Sequence, residues 1–366
     1  MRTVRKLLRA DIATAVAFVA VAFLALFFFI DFVDELRDVG SRGYTAAHAA
    51  VYSLLLAPGH LYELMPIAVL IGTIYGLARL AQTSQYTILR TGGLGPGRAL
   101  GLLTSLALVF GAVTYLVGDY VAPFSERVAS QLRAGFSGGL KLERSGAWIK
   151  ERSPEGERSY SINVGSAERG TLLRNVRIFE FDADGRLVTR TVAAEADVRG
   201  DGTWLMRDVT VTRWREAGVE SSAREEHRAT SEWRSSLSPK VVAAAVLPVT
   251  TMSTIELWRY IAHLSENDQA VQLQKIQFWN RALYPFVSLV MVGLALPFAY
   301  LHARAGGVSV KVFAGIMIGV SFVLLNNVFR HLGMLGNWTP WLVAATPGAL
   351  YLALSLAAFS WLVRFR

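Results

Sequence analysis

Apolar residues in this chain are gathered into long blocks with polar stretches between them, and the two kinds of region follow different periods. A helix crosses the bilayer core with about 17 to 25 predominantly apolar residues. Six stretches fit: Ile12–Ile30, Ala50–Leu77, Leu100–Val121, Phe278–Leu301, Val312–Phe329 and Trp341–Val363. The second holds Pro58 and Pro66, which predicts a broken or kinked start. The first is too long for a signal-peptide core and lacks a small-residue cleavage site, so it counts as a span.

Between the third and fourth blocks the period changes. Stretches such as "RSYSINV", "NVRIFEFDADGRLVTRTVAAEADV" and "GTWLMRDVTVTRW" alternate apolar and polar residues and are rich in β-branched and aromatic types. Asp184-Gly185 and Asp201-Gly202 are hairpin signals. Strands at this spacing predict a sandwich or open barrel. The flanks Phe124–Leu140 and Thr254–Ala270 read as helices. Trp204, Met206, Val209 and Val211 are expected to form a packed core, the alternative being the lining of a lipid-holding groove. The expected fold class is a polytopic α-helical membrane protein of six transmembrane helices with an inserted all-β domain. Residues 1–122 would hold spans one to three, 123–270 the β domain with helical flanks, and 271–366 spans four to six.

Composition agrees with this mixture: 53% of the 366 residues are hydrophobic, high for a soluble domain and low for a chain that is all membrane. The formal charge of +9 would raise nucleic acid as a partner in a soluble protein. Its placement argues otherwise. Residues 123–270 hold 21 basic and 21 acidic residues, so the whole excess lies on the membrane part. Six spans put both termini on one side, where 11 Lys and Arg face a single acid, Asp11; the other side, apart from the β domain, has five basic and six acidic residues. The positive-inside rule then places both termini in the cytoplasm and the β domain outside.

Chemistry is sparse. With no cysteine, disulfides and thiol chemistry are excluded. The six histidines show no metal-ligand spacing, "GGLGPGRAL" lacks the G-K-[ST] end of a phosphate loop, and no G-x-S-x-G elbow occurs. No catalytic or metal residues are therefore assigned, no cofactor is expected, and an enzymatic role is not.

Three stretches carry a family resemblance: "FFFIDFVDELRDVG" at the end of the first span, "PIAVLIGTIYGLARLAQTSQYTILRTGG" through the second, and "FWNRALYPFVSLVMVGLALPFAY" in the fourth. With a β domain between spans three and four, the chain resembles the LptF/LptG permeases of the lipopolysaccharide exporter over nearly its whole length. The "FVDELRDVG" exit is closer to the LptG-like members. The resemblance implies a bacterial inner-membrane protein with a periplasmic β-jellyroll. It implies a heterodimer with an LptF-like permease, a dimer of LptB-like ATPases that binds the ATP, and an LptC-like protein whose helix inserts between the permeases. Lipopolysaccharide would be taken from the membrane and passed to a periplasmic bridge. Two alternatives stay open: the LptF-like role in the same complex, and a membrane scaffold or sensor that transports nothing.

The resemblance also marks residues. The polar helix at about 80–91 resembles the coupling helix that docks on the ATPase, with Leu80, Ser84, Gln85, Tyr86, Ile88 and Leu89 as candidate contacts. The family commonly has an acid where Gln85 stands. Lys275, Arg281 and Arg330 lie near the outer ends of their spans and are candidates for lipid phosphates, with snorkelling to headgroups as the ordinary reading. Asp31 and Asp34 are candidates for the cavity mouth; some relatives carry a lysine where Asp31 stands.

Overall fold

Helices form where the long apolar blocks predict them. The computed structural model describes residues 2–82, 96–137, 140–141, 147–153, 157–168, 172–217, 220–235, 251–266, 271–300 and 307–364. In chain order these give α1 (Arg2–Glu35), α2 (Ala46–Gln82), α3 (Pro96–Leu116), a π-helical turn (Val117–Val121) and α4 (Ala122–Ser137). Seven strands follow, β1 (Leu140–Lys141), β2 (Ala147–Arg152), β3 (Ser159–Glu168), β4 (Leu172–Phe181), β5 (Leu187–Val198), β6 (Thr203–Ala217) and β7 (Glu220–Arg234). The chain ends with α5 (Thr254–Glu266), α6 (Gln272–Tyr300), α7 (Val308–Leu335) and α8 (Pro340–Arg364). Among the described residues six segments are long and apolar enough to cross a membrane, as expected. The chain divides into two units, one of residues 1–34, 53–123 and 272–366, the other of 35–52 and 124–271.

In the helical unit α2 is not broken at its start, the first of the two forms expected of it. α2 runs unbroken for 37 residues with Pro58 and Pro66 inside it. Membrane helices tolerate proline when neighbours satisfy the freed backbone groups. Pro66 deprives the Tyr62 carbonyl of its usual donor, and beside it the Tyr284 hydroxyl of α6 donates to the Glu63 carbonyl at 2.6 Å.

Lipid tails are as apolar as leucine, so packing rather than hydrophobicity holds such helices together. Two G-x-x-x-G pairs do this. A Cβ on Gly72 of α2 would lie 2.6 Å from Val16 of α1, and one on Gly76 would lie 3.0 Å from Ile12. Gly315 and Gly319 of α7 meet Ile74 and Ile67 of α2 in the same way, at 2.6 and 3.1 Å. The core they close includes Ile12, Val16, Leu70, Ile74, Leu103 and Met291.

The other unit holds one antiparallel sheet in the order β1-β3-β4-β5-β6-β7, with β2 also on β3. Both expected hairpins form. Gly185 and Gly202 take φ of +77° and +83°, the left-handed region open to glycine. The carboxylates of Asp182 and Asp201 cap the turns by accepting backbone N–H groups of Arg186 and Thr203 at 2.8 and 2.9 Å.

The sheet is creased at one level across five strands. The ladders skip the facing positions Gly165, Asn175, Ala194, Asp208 and Ala229 in β3 to β7, and the register is the same on both sides of the gap. Asn175 and Asp208 have φ of +52° and +53°. Strand faces normally alternate with period two. Here the phase steps at the crease: Trp204 and Met206 are buried before it in β6, and Val209 and Val211 after it. Leu173, Val176 and Ile178 of β4, and Ala193, Ala196 and Val198 of β5, step alike. Both halves of the sheet thus turn their apolar side to one core. Trp204, Met206, Val209 and Val211 are the packed core expected of them, at 0%, 2%, 0% and 7% exposure.

Candidate functional site

The acids that end the first span do not act as one cluster. Asp31 of α1 lies 2.7 Å from the imidazole of His60 on α2, and the Phe27 ring stands 4.8 Å from that imidazole. Asp34 is exposed. Glu35 and Asp38 belong to the second unit, where Arg133 of α4 bridges them at 2.8 and 3.0 Å and sits over the Tyr52 ring at 5.4 Å. The Tyr44 hydroxyl donates to Glu35 at 3.0 Å. Burial first, then this bond to a carboxylate, pushes the Tyr44 phenol up to about 12.

The three basic candidates differ from one another. Lys275 and Arg330 are half-buried near the ends of α6 and α7. Arg281 is half-buried too and lies near the Tyr62 hydroxyl, within reach of the charges of Asp119 and Glu63. The rings of Tyr62 and Tyr284 lie 4.6 Å apart. Asp119 is 4% exposed because the π turn rotates it inward, an arrangement that recurs at functional positions in helices. Gly118 must lack a side chain there, since a Cβ would fall 2.2 Å from the Tyr62 ring. Arg281 is therefore part of a polar junction of α2, the π turn and α6. Periodicity does not signal a π turn, so Tyr62, Asp119 and Tyr284 were not legible as its partners.

Of the coupling candidates, Leu80 lies at the end of α2, 3% exposed and packed in the helical core. Its apolar side chain fastens α2 to the bundle. Ser84, Gln85, Tyr86, Ile88 and Leu89 fall outside the described residues. Among the described residues no group of three or more His, Asp or Glu gathers at metal-binding distance.

Aromatic residues mark one end of the helical unit. Trp279, Trp338 and Trp341 are exposed there, at 37%, 47% and 51%, as in the belts that sit at lipid headgroups. The Gln272 amide donates to the Trp338 carbonyl at 2.6 Å and ties α6 to the α7–α8 turn.

Six apolar helices, close-packed through glycines and interrupted after the third by a seven-stranded sheet, define a polytopic membrane protein with a single inserted β domain. Residues 6–361 match the family of the lipopolysaccharide export system permease LptF/LptG, and the chain belongs to that family. It is 26% identical over 336 residues to the lipopolysaccharide export system permease protein LptG of Escherichia coli strain K12, covering 89% of each chain. To LptG of Haemophilus influenzae it is 25% identical over 328 residues, again 89% of each.

Proposed function

We propose that this chain is the LptG-like half of a permease pair, taking lipopolysaccharide from the outer leaflet of the inner membrane and handing it to its β domain. The observation that carries the reading is the match to LptG proteins over 89% of both chains by a chain whose β domain is inserted after the third span. An LptF-like chain completes the cavity, and an LptC-like protein receives the lipid. ATP is hydrolysed by an LptB-like dimer that grips the stretch Ser84–Leu89, with no cofactor held by this chain. Both termini face the cytoplasm and the β domain the periplasm, in line with the charge bias.

Within the cavity, Lys275 and Arg330 hold lipid phosphates. Arg281 acts one step back, fixing α2 against α6 through Tyr62. Asp34 is left to the cavity mouth, while Asp31 latches α1 to α2 through His60.

The test is purification from native membranes, followed by identification of bound protein and lipid. The reading expects an ATPase, a second permease and lipopolysaccharide. It expects Leu89→Asp and Tyr86→Ala to release the ATPase, because buried apolar anchors dominate such contacts, and Gln85→Glu to keep it. A preparation that transports no lipopolysaccharide and carries no ATPase overturns it.

A further inference from the structure

We propose that the groove between α1, α2 and the start of α7 binds one zwitterionic phospholipid with a primary ammonium headgroup. Asp11, Thr14, Ala15, Phe18 and Val19 lie on one stripe of α1, and Ile71, Tyr75 and Arg79 on one stripe of α2. The helices run in opposite directions, so Asp11 and Arg79 come to the same end. Val312 of α7 completes the wall, and the cavity measures about 480 Å³, within the roughly 300–1,000 Å³ of small-molecule sites.

Polarity falls along the groove. One end carries a carboxylate and a guanidinium. Over the eight residues from Asp11 to Val19, about 12 Å of helix, the lining passes through Thr14 and Tyr75 to Phe18, Val19 and Ile71. Phe18 is 74% exposed and stands as an open apolar wall. The groove is pre-formed, because Gly72 and Gly76 hold α2 hard against Val16 and Ile12 of α1 just behind it.

The charges choose the occupant. Arginine suits a phosphate, while Asp11 repels a headgroup that is only anionic. A headgroup bearing both phosphate and ammonium offers each side chain a group of opposite charge, with its acyl chain laid along Phe18 and Ile71. The site belongs to the leaflet on the N-terminal side of α1 and does not depend on what the protein transports.

The experiment uses the full protein in nanodiscs, with diazirine-tailed phosphatidylethanolamine or phosphatidylglycerol as probe and the labelled peptides mapped after irradiation. Phosphatidylethanolamine should label the 11–19 and 71–79 segments about fivefold more than phosphatidylglycerol, the factor expected of one charge at a lipid surface. Asp11→Asn should bring the ratio to about one, and Arg79→Gln should lower labelling by both lipids. Thr14→Trp fills the groove without touching its charges and should abolish labelling by both, leaving α8 labelled as before. Equal labelling in the parent, a ratio that survives Asp11→Asn, or displacement of the probe by lipopolysaccharide overturns the proposal. So does a benzoylphenylalanine at Phe18 that cross-links to another protein chain and to no lipid.

Discussion

Asp31 of α1 and His60 of α2 face each other at 2.7 Å, where the helices carry them toward the end of the first span. Asp31→Asn and His60→Gln should each weaken the α1–α2 contact by about 1.5–3 kcal/mol, the size of a hydrogen bond to a charged group. The double variant should lose little more than either single one. A double-mutant cycle on thermal unfolding of the detergent-solubilised protein measures this, and strict additivity refutes the pairing.

The glycine contacts predict a contrast between two helix glycines on different elements. Gly72→Ala places a methyl 2.6 Å from the Val16 backbone, whereas Gly101→Ala meets nothing within 4 Å. The first should cost about 1–3 kcal/mol through overpacking. The second should be neutral or slightly stabilising. Melting temperatures of the two variants, read side by side, decide it.

At the crease, Asp208→Val puts a β-branched residue at a φ of +53° and should destabilise the β domain by about 1–3 kcal/mol. Asp208→Gly should be tolerated. Proteolysis of the β domain in the intact protein, timed for each variant, provides the reading. Equal sensitivity of both variants would mean that the backbone there relaxes to the ordinary β region.

Acid sensitivity should pass through Glu256 at the start of α5. Burial pushes its carboxyl up, but the Ser253 backbone N–H and the Arg127 guanidinium outweigh this and hold it below the usual range. Arg127 is pinned in turn by the Thr251 carbonyl, which accepts its Nε–H at 2.9 Å. A carboxylate lowered by folding contributes stability above its unfolded pKa, and that stability is lost as pH falls through the folded value. Glu256→Gln should therefore lower stability at neutral pH and flatten its decline in acid. Unfolding followed from neutral pH downward tests the sign.

The spans were legible because lipid imposes one rule: every backbone group must be satisfied within the helix. Both hairpins were legible because Asp-Gly carries its own turn chemistry. The crease was written in the sequence too, but in a period other than two. Trp204, Met206, Val209 and Val211 are spaced two, three, two, and a reading tuned to alternation passes over the step. The partners of Arg281 were hidden for another reason. They come from α2, the π turn and α6, and only tertiary packing brings Tyr62, Asp119 and Arg281 together. Leu80, which the resemblance puts at the start of the coupling helix, packs in the bundle core, a contact that only the tertiary structure reveals.

The skipped row of pairs gives the sheet a hinge line perpendicular to its strands. On one side lie the pairs from Val164 with Val176 outward, on the other those from Ser166 with Arg174. Bending along that line breaks no rung of either leaf, whereas bending elsewhere would cost rungs already made. The two leaves share every long strand, so a change of angle between them cannot slip the register. The crease is therefore a property of the whole row of five strands, and no one of them can lose it without its neighbours.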